Sequence, residues 1–143
     1  MQIQDLCALW HGGELSYIER LCLTSMLDTG HKTALYTYHG VTNAPPGIDQ
    51  RDAREVMPEN MMLRHRRLQS FALGSDIFRY RLLQKSLGCW VDCDMFFLRP
   101  QPPSDYVFGW EQPHSINTAI LKLPPDSLVL SQILDIAFSP NPV

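Results

Sequence analysis

Three things are scarce in this sequence, and each scarcity removes a class of function. No apolar stretch approaches the roughly 20 residues that a membrane-spanning helix needs, and Met1-Gln-Ile-Gln-Asp5 has no basic region leading into an apolar run. Neither a span nor a secretory leader is therefore expected. An excess of positive charge is missing too: 12 Lys and Arg stand against 15 Asp and Glu, a formal net charge of −3. Without a basic surface to gather phosphates, nucleic acid is not expected as a partner. An anionic ligand would need local groups or a metal to hold it. The four cysteines, Cys7, Cys22, Cys89 and Cys93, have neither zinc-ribbon spacing nor the density of a disulfide framework. They read as free thiols in a reducing compartment. A cytoplasmic protein is the expectation, with peripheral membrane association left open.

What is present suits a globular α/β domain covering residues 1–143. Leu6-Cys-Ala-Leu-Trp10 is a short apolar run ending in His11-Gly12-Gly13, a buried strand leaving its sheet through a glycine turn. From Ser16 to about Asp28 the apolar spacing becomes helical, with Ser16 as N-cap and Thr29-Gly30 as the stop. Thr33 to Tyr38 alternates as a second strand, so strand, helix and strand imply a parallel pair with a right-handed crossover. His39 to Met57, with Asn43-Ala-Pro-Pro-Gly47, reads as an irregular excursion holding a short helix. Arg64-His65-Arg66-Arg67 reads as a solvated basic face. Ser70 to Leu87 carries a helix capped by Ser75 and stopped by Gly88. Cys89-Trp-Val91 is the next strand, with Asp92-Cys-Asp94 as its extended exit and Phe96-Phe-Leu98 prolonging the apolar run. Tyr106–Trp110 and Ile116–Leu123 read as strands and Asp126–Phe138 as a last helix.

Ten aspartates make a D-x-D tripeptide unremarkable by itself. Its place gives it weight. Residues two apart in an extended chain point to the same side, so Asp92 and Asp94 would converge just outside the carboxyl end of a strand. That edge is where open α/β sheets bind ligands. Paired carboxylates supply hard oxygen ligands for Mn²⁺ or Mg²⁺, and such a metal can tie an acidic protein to a diphosphate. Asp76 and Arg79, three apart on the preceding helix, would share one face. A D-x-D-x-T aspartate nucleophile of the phosphatase kind fits less well, because Met95 and Phe96 follow Asp94.

The run Gly74-Ser-Asp-Ile-Phe-Arg-Tyr-Arg-Leu-Leu-Gln-Lys-Ser-Leu-Gly-Cys-Trp-Val-Asp-Cys-Asp-Met-Phe-Phe-Leu-Arg-Pro100 resembles glycosyltransferases that carry a sugar-binding region with a D-x-D motif. These include α-mannosyltransferases and capsular-polysaccharide transferases. The chain has Leu87-Gly88 where their pattern has two glycines, and Trp90 where it has tyrosine. The resemblance implies a GT-A fold, a Rossmann-like, mostly parallel sheet flanked by helices, here incomplete at the C-terminus. It implies transfer of a sugar from a UDP- or GDP-sugar, with retained configuration, to a glycan or lipid-linked acceptor. It also implies roles: Asp76, Arg79 and Tyr80 on the donor sugar, Asp92 on the donor and metal, Asp94 on the metal, Leu9 and Trp10 at the base, and Asn117 beside the acceptor. The competing expectation is a truncated, non-catalytic remnant that binds nucleotide weakly or serves as an interaction surface.

Overall fold

The computed structural model describes residues 2–62 and 71–139. The basic run at 64–67, Ser70 and the tail beyond Ser139 lie outside them. Among the described residues six strands form one sheet: β1 (Leu6–Trp10), β2 (Thr33–Thr37), β3 (Asp49–Asp52), β4 (Cys89–Val91), β5 (Val107–Gln112) and β6 (Ser115–Lys122). Their order is β3-β2-β1-β4-β6-β5. The first four run parallel, with Leu6 opposite Thr33 on one side of β1 and Cys89 on the other. β6 joins β4 antiparallel and β5 closes the sheet as its hairpin partner. The helices are α1 (Tyr17–Asp28), α2 (Ala72–Gln84) and α3 (Leu128–Ala137).

The inner strands are apolar on both faces because both faces are covered. Leu6, Ala8, Leu35, Cys89 and Val91 point into one core with Leu23 and Met26 of α1. Cys7, Ala34, Tyr36 and Trp90 point into the other, packed by Ile77, Phe78, Leu82 and Leu83 of α2 and by Leu130 and Leu134 of α3. The result is helix, sheet and helix in three layers. Among the described residues no helix is long and apolar enough to cross a membrane. All four cysteines are free and buried, and burial pushes the thiols of Cys7, Cys89 and Cys93 up to about 12.

Four expectations need correction. The excursion after β2 contains a strand, β3, as well as two 3₁₀ turns at Ala53–Glu55 and Glu59–Met61. All four of its residues are polar and exposed, so nothing but backbone pairing with β2 makes it a strand. α2 begins at Ala72 behind Phe71, which places Ser75 inside the helix rather than at its cap. The chain turns out of α2 through Ser86, whose φ is 58°, and not through Gly88. Phe96 and Leu98 are exposed rather than part of a buried run, and of that stretch Phe97 packs on the core and donates its N–H to Ser25 Oγ at 2.9 Å.

Gly88 serves closeness instead. At its φ of 150°, an added Cβ would lie 2.8 Å from Cys7 Sγ and 3.1 Å from the Asp5 carbonyl oxygen. That carbonyl accepts the Cys89 N–H at 2.9 Å, the bond that starts the β1–β4 ladder. Gly88→Ala is therefore expected to cost about 1–3 kcal/mol by overpacking and backbone strain. Urea unfolding would show it as a lower midpoint with an unchanged slope, and an unmoved midpoint would mean that β1 and β4 can part without loss.

Candidate functional site

In an open parallel sheet the crevice forms where neighbouring strands connect in opposite directions. Here that point lies between β1, which connects to β2 on one side, and β4 on the other. Both strands end at the same edge, and a cleft of about 250 Å³ opens there. β1 contributes Leu9 and Trp10, α1 contributes Glu19, and α2 contributes Ser75 and Arg79. Trp90, Asp92, Cys93 and Asp94 come from β4 and its exit. A larger hollow of about 590 Å³ opens around Asp5, Lys32 and Lys122. It sits at the amino ends of the strands and gathers no pair of carboxylates, so the smaller cleft is the better candidate.

Asp92 and Asp94 do share this cleft, but not as an extended pair. The strand stops at Val91, the Asp92 N–H donates to the Ala119 carbonyl at 2.7 Å, and the chain then turns, with the Met95 N–H donating to the Asp92 carbonyl at 3.2 Å. The turn carries Cys93 inward, where its thiol faces the Leu9 carbonyl at 3.4 Å. Burial pushes this thiol up to about 12, which favours its protonated form.

The two aspartates differ in surroundings. Asp92 is two-thirds buried; its Oδ1 accepts the Trp90 indole N–H at 2.8 Å and lies 3.4 Å from Arg79 Nη2. Burial pushes its carboxyl above the ordinary range, Arg79 and Trp90 pull it back, and Asp94 and Asp76 push it up again. Asp94 is exposed, and no described group is hydrogen-bonded to its carboxylate. The pair thus offers one braced oxygen donor and one free one.

Arg79 is the most enclosed charge in the site, with 8% of its side chain exposed. Nη1 donates to the carbonyl and hydroxyl of Thr118 at 2.8 and 2.6 Å. Nη2 faces Asp76 at 3.2 Å and Asp92 at 3.4 Å, and the guanidinium lies over the Trp90 ring, 4.9 Å from its centroid. Nε is buried without a partner. Asp76 therefore touches the site through Arg79, and burial pushes its carboxyl up while Arg79 opposes this.

Trp10 lines the cleft with its indole N–H donated to the Gly13 carbonyl at 2.6 Å, which sets the ring across the glycine turn. Tyr80 is not in the cleft. It packs into an apolar groove of about 350 Å³ with Phe108, Ile116 and Val129. Asn117 also lies outside the cleft, its side-chain oxygen taken by the Ala119 N–H at 2.7 Å.

Sequence reasoning missed Trp90, Thr118, Ser75 and Glu19. Trp90 was within reach, since it stands only two residues before Asp92, and its indole N–H donates to the Asp92 carboxylate at 2.8 Å. Glu19 is committed to capping, with its carboxylate accepting the Ser16 N–H at 2.8 Å, and the spacing S-x-x-E is the signal for that. Thr118 had no local signal, because strand pairing alone delivers it to Arg79. Next to the cleft, His11 packs against Phe71 and Tyr38, and Glu59 gathers His39 at 2.6 Å and Arg54 at 3.1 Å. Among the described residues no group of three or more His, Cys, Asp or Glu side chains could hold a metal. No protein-family model and no curated protein matches the sequence.

Proposed function

We propose that this chain is the nucleotide-sugar-binding domain of a metal-dependent glycosyltransferase of GT-A architecture. One observation carries the reading: two carboxylates, one braced and one free, share a cleft with a tryptophan at the switch point of a mostly parallel sheet. The resemblance around residues 74–100, a run that includes Ser75, Arg79, Trp90, Asp92 and Asp94 of the cleft, supports the same reading.

In this reading Asp94 and the remaining oxygen of Asp92 would hold Mn²⁺ or Mg²⁺. These hard oxygen donors fit such ions, and the diphosphate and water would complete the shell. Bound there, the metal supplies Lewis-acid stabilisation of the charge that grows on the departing nucleoside diphosphate. The protein's own part is placement. Trp10 offers its ring to the base beside Leu9, and Arg79 faces Asp92 Oδ1, fixing the carboxylate and opposing the upward push of burial on its pKa. The donor is a UDP- or GDP-sugar, the configuration is retained, and the acceptor is a glycan or lipid-linked hydroxyl approaching from the side of Asn117.

A thermal-shift screen of UDP- and GDP-sugars with and without Mn²⁺ tests this. Donor at a hundredfold excess over its dissociation constant stabilises by about 2.7 kcal/mol, which for a domain of this size raises Tm by roughly 5–10 °C. The expected result is that rise with one donor class and only with Mn²⁺ present. A rise that ignores Mn²⁺, or none with any donor, would overturn the reading. Metal-dependent binding without hydrolysis or transfer would instead fit a non-catalytic module.

A further inference from the structure

Thr118 is the one side chain of β6 that reaches the acidic cleft through a charged intermediary. Arg79 has two Nη nitrogens, and they face four protein oxygens: the carbonyl and hydroxyl of Thr118, and one oxygen each from Asp76 and Asp92. The remaining donor, Nε, is buried and unpartnered, so it does nothing to orient the group. A guanidinium is a planar fork, and fixing one nitrogen fixes the direction of the other. Thr118 grips Nη1 at 2.6 and 2.8 Å, closer than either carboxylate lies to Nη2.

We propose that Thr118 is a positioning residue for the metal-binding pair, acting through Arg79 to hold Asp92 so that only its second oxygen is free for a ligand. The inference rests on the metal-dependent reading of the cleft. Its logic is that Oδ1 of Asp92 is already claimed by the Trp90 indole at 2.8 Å and by Arg79 at 3.4 Å. If the guanidinium turns, Asp92 keeps one neutral hydrogen bond and loses its facing charge. A partner that orients a metal ligand typically governs 10–100-fold in affinity. Thr118 also lies on the strand whose Ala119 carbonyl receives the Asp92 N–H at 2.7 Å. One short stretch of β6 thus fixes both the backbone and, through Arg79, the side chain of Asp92.

The test uses Thr118→Val, which keeps the shape and the carbonyl but removes the hydroxyl, and Thr118→Ser, which restores it. Mn²⁺ uptake is followed by electron paramagnetic resonance, and the guanidinium by nitrogen-15 NMR of Arg79. Thr118→Val is expected to weaken Mn²⁺ binding about tenfold and to free rotation of the Arg79 fork, with the melting temperature close to native. Thr118→Ser should return both to native values. Native Mn²⁺ affinity together with a native Arg79 signal in Thr118→Val would overturn the proposal, as would equal weakening in the serine variant. If the native chain takes up no Mn²⁺, the metal reading falls, and the positioning of Arg79 by Thr118 is then decided by the NMR signal alone.

Discussion

Asp94→Asn is expected to abolish the proposed Mn²⁺-dependent nucleotide-sugar binding while leaving the fold intact, the largest effect expected of any single substitution here. The residue is exposed, and no described group is hydrogen-bonded to its carboxylate, so little native packing is lost. Surface changes of this kind usually alter stability by no more than about 0.5 kcal/mol. The cost to binding is of another order. Of the three carboxylates in the cleft, Glu19 accepts the Ser16 N–H, and Asp92 already shares one oxygen with Trp90 and Arg79. Removing the freer ligand takes away several kcal/mol of interaction with a divalent cation, about two orders of magnitude or more in affinity. Calorimetric titration of nucleotide-sugar with and without Mn²⁺, beside an unfolding curve, checks both halves. Unchanged Mn²⁺ dependence in the variant would remove Asp94 from the site.

The second large effect is at Arg79. Arg79→Ala leaves Asp76 and Asp92 facing each other without the cation between them, and opens a gap over the Trp90 ring. Breaking a fully buried pair costs about 3–5 kcal/mol. Asp76 and Asp92 keep 45% and 33% of their side-chain exposure, so screening reduces the cost to roughly 2–3 kcal/mol. The resemblance implies that this arginine meets the donor sugar, which would make its loss hurt a nucleotide-sugar more than a nucleoside diphosphate. Both Nη nitrogens are instead engaged by protein oxygens. Equal weakening of the two ligands, by tenfold or more in the presence of Mn²⁺, is therefore the expected outcome. A selective loss for the nucleotide-sugar would show that Arg79 leaves its partners when donor arrives. Arg79→Lys should rescue little, because a single ammonium cannot bridge Thr118 and two carboxylates at once.

The sheet's centre was legible in the sequence because burial makes β1 and β4 short apolar runs, while β2 shows as a β-rich alternating segment. β1, β2 and β4, together with α1 and α3, follow from runs and periodicities that burial enforces. β3 was not legible, since Asp49-Gln-Arg-Asp52 takes its conformation from its neighbour and from no property of its side chains. The two glycine and serine signals near α2 were real but assigned to the wrong tasks. Ser75 lines the cleft from within the helix, and Gly88 marks a close approach of backbone to Cys7. At the site, strand parity was the wrong argument for the two aspartates: the strand ends at Val91, and a turn, not an extended chain, brings Asp92 and Asp94 to one cleft. Tyr80 and Asn117 were placed by resemblance, and the cleft includes neither. Contacts made between a strand and a helix distant in sequence, such as Thr118 of β6 with Arg79 of α2, leave no trace in local spacing.

The two outer margins of the sheet are unlike each other. Along β3 the exposed residues are Asp49, Gln50, Arg51 and Asp52, and Arg51 is already paired with Asp49 at 2.8 Å. A stray polypeptide seeking to extend the sheet there would have to dehydrate several charges in a row, which is how natural proteins discourage aggregation. Along β5, Phe108 and Trp110 stand open to solvent. Self-association at high concentration should therefore begin on the β5 side, and a lysine at position 110 should slow it.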